Sequence, residues 1–118
     1  MKKLHFDELE WQNRFTYRKN VVFDEMTLRQ PGAKFQIVKF APKTNVAAHS
    51  HRDVVEIFYV LQGRGTFTFN GIANAAEPGA IFLCEPGDSH AIANDGDDEL
   101  VILIFKTNED PEDIRWMK

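Results

Sequence analysis

From Asn20 onward the chain is written in short apolar runs, each six to ten residues long and each closed by turn-forming residues. The runs are VVFDEMTLR, KFQIVKFAP, VVEIFYVLQG, RGTFTFN, AIFLCEP, SHAIAN and ELVILIFK, rich in the Val, Ile, Phe and Thr that suit a pleated, half-buried surface. Between them fall Pro31-Gly32, Gly63-Arg64-Gly65, Asn70-Gly71, Pro78-Gly79, Pro86-Gly87 and Asn94-Asp95-Gly96, residues that tolerate tight-turn dihedrals or positive φ. No stretch of a dozen residues carries a helical period. Many short strands at regular spacing predict an all-β chain, a sandwich or a barrel.

Alternation assigns faces. On the strand that holds Glu56, Phe58 and Val60 share the glutamate's side, while Ile57, Tyr59 and Leu61 face outward toward a neighbouring sheet or subunit. Ile92 and Asn94 share the side of His90. The run Glu99 to Lys106 is apolar on both parities, which predicts burial on both faces and leaves its inward set open. Residues 1–19 sustain neither period. They read as a lead-in whose Trp11 and Phe15 cover one end of the barrel or meet a second subunit. Residues 107–118, acidic with Pro111, Ile114 and Trp116, read as a flap packing on the barrel mouth or across a dimer seam.

Composition narrows the classes. A length of 118 residues suits one domain, spanning 1–118. Lys+Arg 14 against Asp+Glu 18 leaves a net charge of −4, so no basic field invites nucleic acid or an anionic membrane. The start MKKLHFDELEW has no apolar run behind its lysines, and no segment is apolar for long enough to span a bilayer as a helix. One cysteine, Cys84, excludes an internal disulfide and fits a reducing compartment; a cytoplasmic location is expected. Buried at the end of AIFLC, Cys84 reads as a small hydrophobe.

The chemistry sits in two stretches, HSHRDVVEIFYVLQG (His49 to Gly63) and GAIFLCEPGDSHAIAN (Gly79 to Asn94). His49 and His51, two apart on an extended strand, share a face. Glu56 breaks that parity, so Arg52 and Asp53 are expected to turn the chain and Glu56 to open the next strand, close enough for its carboxylate to reach the same ion. His90 arrives from a third strand. Three imidazoles and one carboxylate suit Fe, Mn, Ni, Zn, Co or Cu and leave coordination positions for substrate. His5 reads as a surface residue. Gln36, Lys39, Gln62 and Arg64 are polar residues in or beside strands that read as solvated, and Asn94 reads as a turn former leading into Asp95-Gly96.

The first stretch resembles the first cupin motif, His-x-His followed by Glu and then Gly, and the second resembles the second cupin motif, a Pro-Gly turn followed by His and Asn. Lys43 stands where the first motif begins with Gly, and Glu85 stands where the second has Pro, with Pro86 one position on. Both departures fall at turns. The resemblance implies a double-stranded β-helix, the jelly-roll barrel, holding one divalent transition metal ion through His49, His51, Glu56 and His90. It implies a metal-dependent enzyme on a small molecule (dioxygenase, decarboxylase, lyase, or sugar or uronate isomerase), with Glu56 able to act as a base, and commonly a homodimer. The alternative is a non-catalytic, metal-containing binding or sensor domain.

Overall fold

The computed structural model describes residues 1–117. After a 3-10 turn at Phe6–Glu8 come β1 (Gln12–Asn13), β2 (Arg18–Phe23), helix α1 (Glu25–Leu28), β3 (Lys34–Phe40), β4 (Thr44–Ser50) and β5 (Val55–Gln62). They are followed by β6 (Gly65–Phe69), β7 (Ile72–Ala76), β8 (Ile81–Cys84), β9 (His90–Asn94), β10 (Leu100–Thr107) and β11 (Arg115–Trp116). Two antiparallel sheets result, one in the order β1-β2-β3-β10-β5-β8 and the other β11-β4-β9-β6-β7. This is the double-stranded β-helix that the motifs implied.

Between the sheets lie Phe40, Phe58, Val60, Phe67, Leu100 and Ile102, all at most 2% exposed. Each such side chain contributes about 1.5–3 kcal/mol by leaving water. The alternation on β5 is as expected, with Glu56, Phe58 and Val60 buried and Ile57, Tyr59 and Leu61 exposed. On β10 the pairing resolves the open parity. Leu100, Ile102 and Ile104 join the core cluster and, with Lys106, form the inward set.

Three expectations change. The run VVFDEMTLR is not one strand: the Asp24 carboxylate accepts from Thr27 N at 3.0 Å, caps the short helix α1 and ends β2 at Phe23. Strand β7, poor in β-branched residues, was not among the apolar runs; the Asn70-Gly71 turn folds it back on β6, Phe69 facing Ile72. Trp11 covers no barrel end. With Phe6 it lies on the outer face of the six-stranded sheet, where Lys39 Nζ stands 4.1 Å from its ring centre. Phe15 is fully exposed at the rim of the central cavity.

The departures from the motif keep their turns. Lys43 adopts φ +63°, the left-handed conformation that a glycine there would supply, and donates its N–H to Asn94 O at 2.8 Å. Gly63, at φ +86°, could not be replaced without backbone movement, since an added Cβ would lie 2.4 Å from Glu99 O.

Candidate metal centre

The site is assembled by a register fault. Between β4 and β9, Val46 pairs with Ile92 and His49 with His90, so β4 carries one extra residue across this interval. Such a bulge re-aims the strand. Val46 and His49 therefore both line the central cavity although they stand three positions apart, which on a regular strand would face them opposite ways. His51 follows β4 on the same side as His49. The chain then turns at Arg52 and Asp53, as expected, and β5 brings Glu56 in from the opposite sheet.

One ligand nitrogen from each of His49, His51 and His90 lies within 4.8 Å of the other two. Glu56 Oε1 lies 2.9 Å from His51 Nε2 and 3.6 Å from His90 Nε2. All four sequence-predicted residues are thus brought together. His49 and His90 are buried and Glu56 is 3% exposed, while His51 is half-buried.

Each imidazole is held from behind. His49 Nδ1 donates to Ala47 O at 2.9 Å, and His51 Nδ1 donates to Asp113 O. A carbonyl can only accept, so both rings carry their proton on Nδ1 and turn the Nε2 lone pair inward. Cys84 Sγ occupies the same outer position on His90, 3.2 Å from Nδ1. Burial pushes the Cys84 thiol up to about 12, so it stays protonated and is a neighbour of the site, not a thiolate.

The charges are arranged for a cation. Burial favours protonated Glu56, but His51, Lys106 and His90 outweigh it and hold the carboxyl below its usual range. Burial pushes His90 down to about 4 and also lowers His49, so both rings are neutral near pH 7. Only His51 is raised, first by the carboxylate beside it. His51 Nε2 and Glu56 Oε1 are close, yet neither has a hydrogen bond of proper direction. Proximity without direction, in two buried atoms, is the arrangement expected of ligand atoms converging on a shared point. The donor set and its orientation fit a divalent transition ion.

The tail completes the surround. The Asp113 carboxylate accepts from Arg52 N and Asp53 N at 2.7 and 2.8 Å, fixing the turn after His51. Strand β11 pairs with β4, Trp116 opposite His49, and the two rings lie 4.8 Å apart. The segment from Asp113 to Trp116 thus lies against His51 and His49. From the other side Gly87 N donates to His51 O at 2.7 Å, so the Glu85-to-Asp88 turn is docked on the same segment.

The four residues line one end of a cavity of about 590 Å³ whose walls include Val38, Phe40, Phe58, Ile92 and Ile104. A separate polar groove of about 600 Å³ touches His51 alone of the four, on its outer side, and lacks the convergent atoms. Among the cavity residues that sequence reasoning missed, two are polar and sit on the six-stranded sheet. Gln36, read as solvated, is 6% exposed with Oε1 unpartnered, and Lys106 places Nζ 4.0 Å from Glu56 Oε2. Gln36 falls on the parity of Val38 and Phe40, and Lys106 on that of Ile102 and Ile104, but both parities of these strands are apolar and the pairing of β3 with β10 decides which faces inward. His5 is at the surface, capping the 3-10 turn. Arg64 pairs with Glu77 at the surface, and Asn94 does form the turn.

Residues 36–106 match the family model described as the cupin domain. Over 69 residues the chain is 35% identical to an oxalate-binding protein of Thermotoga maritima, a match spanning 58% of this chain and 57% of that protein. The crystal structure of a predicted oxalate decarboxylase from Thermotoga maritima superposes with a TM-score of 0.83 at 23% identity, covering 90% of this chain and 98% of that one. The polyketide cyclase RemF from Streptomyces resistomycificus superposes with a TM-score of 0.87 at 16% identity, covering 100% of this chain and 86% of that one. At these identities the two superpositions establish the fold alone.

Proposed function

The chain belongs to the cupin family, and on that premise we propose that it is a metal-dependent enzyme acting on a small molecule in the central cavity. His49, His51, His90 and Glu56 hold one divalent transition ion. The observation that carries this reading is the convergence of two inward Nε2 lone pairs, His90 and an unpartnered buried carboxylate oxygen, with outer contacts already fixing each ring.

A divalent ion held there supplies Lewis acidity and open positions for a substrate oxygen. The protein supplies the rest. Oε1 of Glu56 faces His51 and His90, whereas Oε2 faces Lys106. Oε2 is therefore the oxygen available to take a proton from substrate, and His51 first, with Lys106 beside Oε2, keeps the carboxylate ionised beforehand. Val38, Phe40, Phe58, Ile92 and Ile104 give the cavity apolar walls beside the reacting atoms. A second reading, binding or sensing without turnover, is supported by the similarity to a protein named as oxalate-binding.

The test is elemental analysis of purified protein, followed by assays of oxalate, keto acids, uronates and phenols with Fe(II), Mn(II), Ni(II) and Zn(II) in turn. One ion per chain, lost in His51→Ala, supports the site; an unchanged metal content in that variant refutes it. Turnover of no substrate by any loaded form leaves the binding reading in place of the enzyme.

A further inference from the structure

The cavity is asymmetric. Apart from the four candidate ligands, its inner wall on the six-stranded sheet carries two polar side chains among apolar ones, Gln36 and Lys106. Their placement follows from the register: Gln36 pairs with Ile104, and Lys106 with Glu56. Gln36 and Lys106 are therefore diagonal neighbours across β3 and β10, about 7–8 Å apart at the backbone, on one inward face. Phe58, opposite Ile104, continues that face.

Neither polar group is satisfied by the protein. Gln36 is 6% exposed and its Oε1 has no hydrogen-bond partner, a situation costly enough to be rare in folded proteins. Lys106 Nζ has Glu56 Oε2 at 4.0 Å, beyond hydrogen-bond reach. The charged side chains lining the cavity besides the histidines are Arg14 and Lys106 against Glu56. A divalent ion adds positive charge and engages the carboxylate that Lys106 faces, so this partly buried lysine is left to pair with another anion.

We propose that Lys106 and Gln36 form the subsite for a substrate carboxylate and an adjoining hydroxyl, and that the substrate is a carboxylic acid with an apolar body. Lys106 pairs with the carboxylate, Gln36 Oε1 accepts from the hydroxyl, and Phe40, Phe58 and Ile104 pack on the body. This deepens the metal-site reading and rests on it. Oxalate satisfies only part of the description, since it has no apolar atom to set against those walls and no hydroxyl for Gln36.

Calorimetric titration of Zn(II)-loaded protein with 3-phenyllactate, its methyl ester, 3-phenylpropanoate and oxalate tests the subsite without requiring turnover. The expected result is that the ester binds about 10- to 100-fold more weakly than the acid, and that Lys106→Met imposes a loss of that size on the acid while leaving the ester unchanged. Removal of the hydroxyl is expected to cost wild type about 2- to 10-fold, and Gln36→Leu is expected to abolish that difference. Zinc content and melting temperature are measured on every variant, so that a fold or metal defect is seen directly. Equal binding of acid and ester to wild type, no binding of any acid, oxalate binding more tightly than phenyllactate, or Lys106→Met leaving the acid-to-ester ratio intact each overturns the proposal. Wild type that takes up no zinc sinks the metal reading instead. The same titrations on that metal-free protein then ask whether acid binding follows Lys106, and acid binding independent of Lys106 overturns the subsite.

Discussion

Replacing Asn94 by alanine separates a turn clamp from a substrate contact. Asn94 is 1% exposed and does not line the cavity. Its Nδ2 donates to Phe40 O at 2.9 Å, Ala41 O at 3.2 Å and Asp98 O at 2.9 Å, and its Oδ1 accepts from Gly96 N at 3.0 Å. One side chain thus ties the end of β3, the loop after it and the β9–β10 turn. At about 1 kcal/mol net per bond, with Phe40 O left in a dry environment and the turn groups regaining water, Asn94→Ala costs about 3–5 kcal/mol. A 118-residue chain has an unfolding entropy near 0.25 kcal/mol per kelvin, so the melting temperature falls by about 12–20 °C. Calorimetric melting of metal-free protein checks this. Asn94→Asp, which keeps the acceptor and loses the donors, is expected to fall at least as far, because it also buries a carboxylate. Zinc affinity measured well below the melting temperature is expected to stay within about threefold, since four residues of strand place Asn94 about 13 Å from His90. A drop of less than about 4 °C, or a selective loss of zinc binding with stability intact, refutes the clamp.

Asp113→Ala releases the Arg52–Asp53 turn and the carbonyl behind His51, and is expected to lower zinc affinity by about 10- to 100-fold, read by competition with a chromophoric chelator. Folded His90 is pushed down to about 4 from an ordinary 6.5, so between these values the unfolded chain binds the extra proton and the metal-free protein loses stability as pH falls. The urea stability of wild type minus that of His90→Gln is therefore expected to shrink from pH 6.5 to about 4 and to level off below; a pH-independent difference refutes it. Ile57, Leu61, Ile81 and Leu83 leave an apolar surface on the outer side of β5 and the edge strand β8, at 41, 42, 66 and 56% exposure. We propose that a second copy covers it, and Leu83→Asp is expected to halve the mass measured by light scattering; a wild-type monomer refutes this.

Much of this was legible in the sequence because it rests on local rules. The period of two on β5 fixed which side of Glu56 is wet, and the His-x-His pair with Arg52 and Asp53 foretold both the shared face and the turn. What stayed hidden depends on pairing between distant segments. The two-residue strand β11 has no pattern of its own and exists because β4 offers an open edge to Ile114-Arg115-Trp116. Lys106 closes a strand apolar on both parities, and its inward side is decided only by β10 lying between β3 and β5. Gln36 looked solvated because polar residues are ordinary in KFQIVKF, and its inward side follows only from the pairing of β3 with β10. Cys84 reads as a hydrophobe from AIFLC, and its contact with His90 comes from the Glu85-to-Asp88 turn carrying the chain from β8 in one sheet to β9 in the other.

Three of the four candidate ligands, His49, His51 and His90, are carried with the five-stranded sheet, and Glu56 comes from the six-stranded one. An ion bound by all four is then a clasp between the two sheets, added to the packed core and to ties such as Asn94 Nδ2 to Phe40 O. While it is bound the sheets cannot part there, so the ion would add to a stability the core already supplies. A cell short of that metal would then hold more of the metal-free barrel, which opens, and is degraded, more readily.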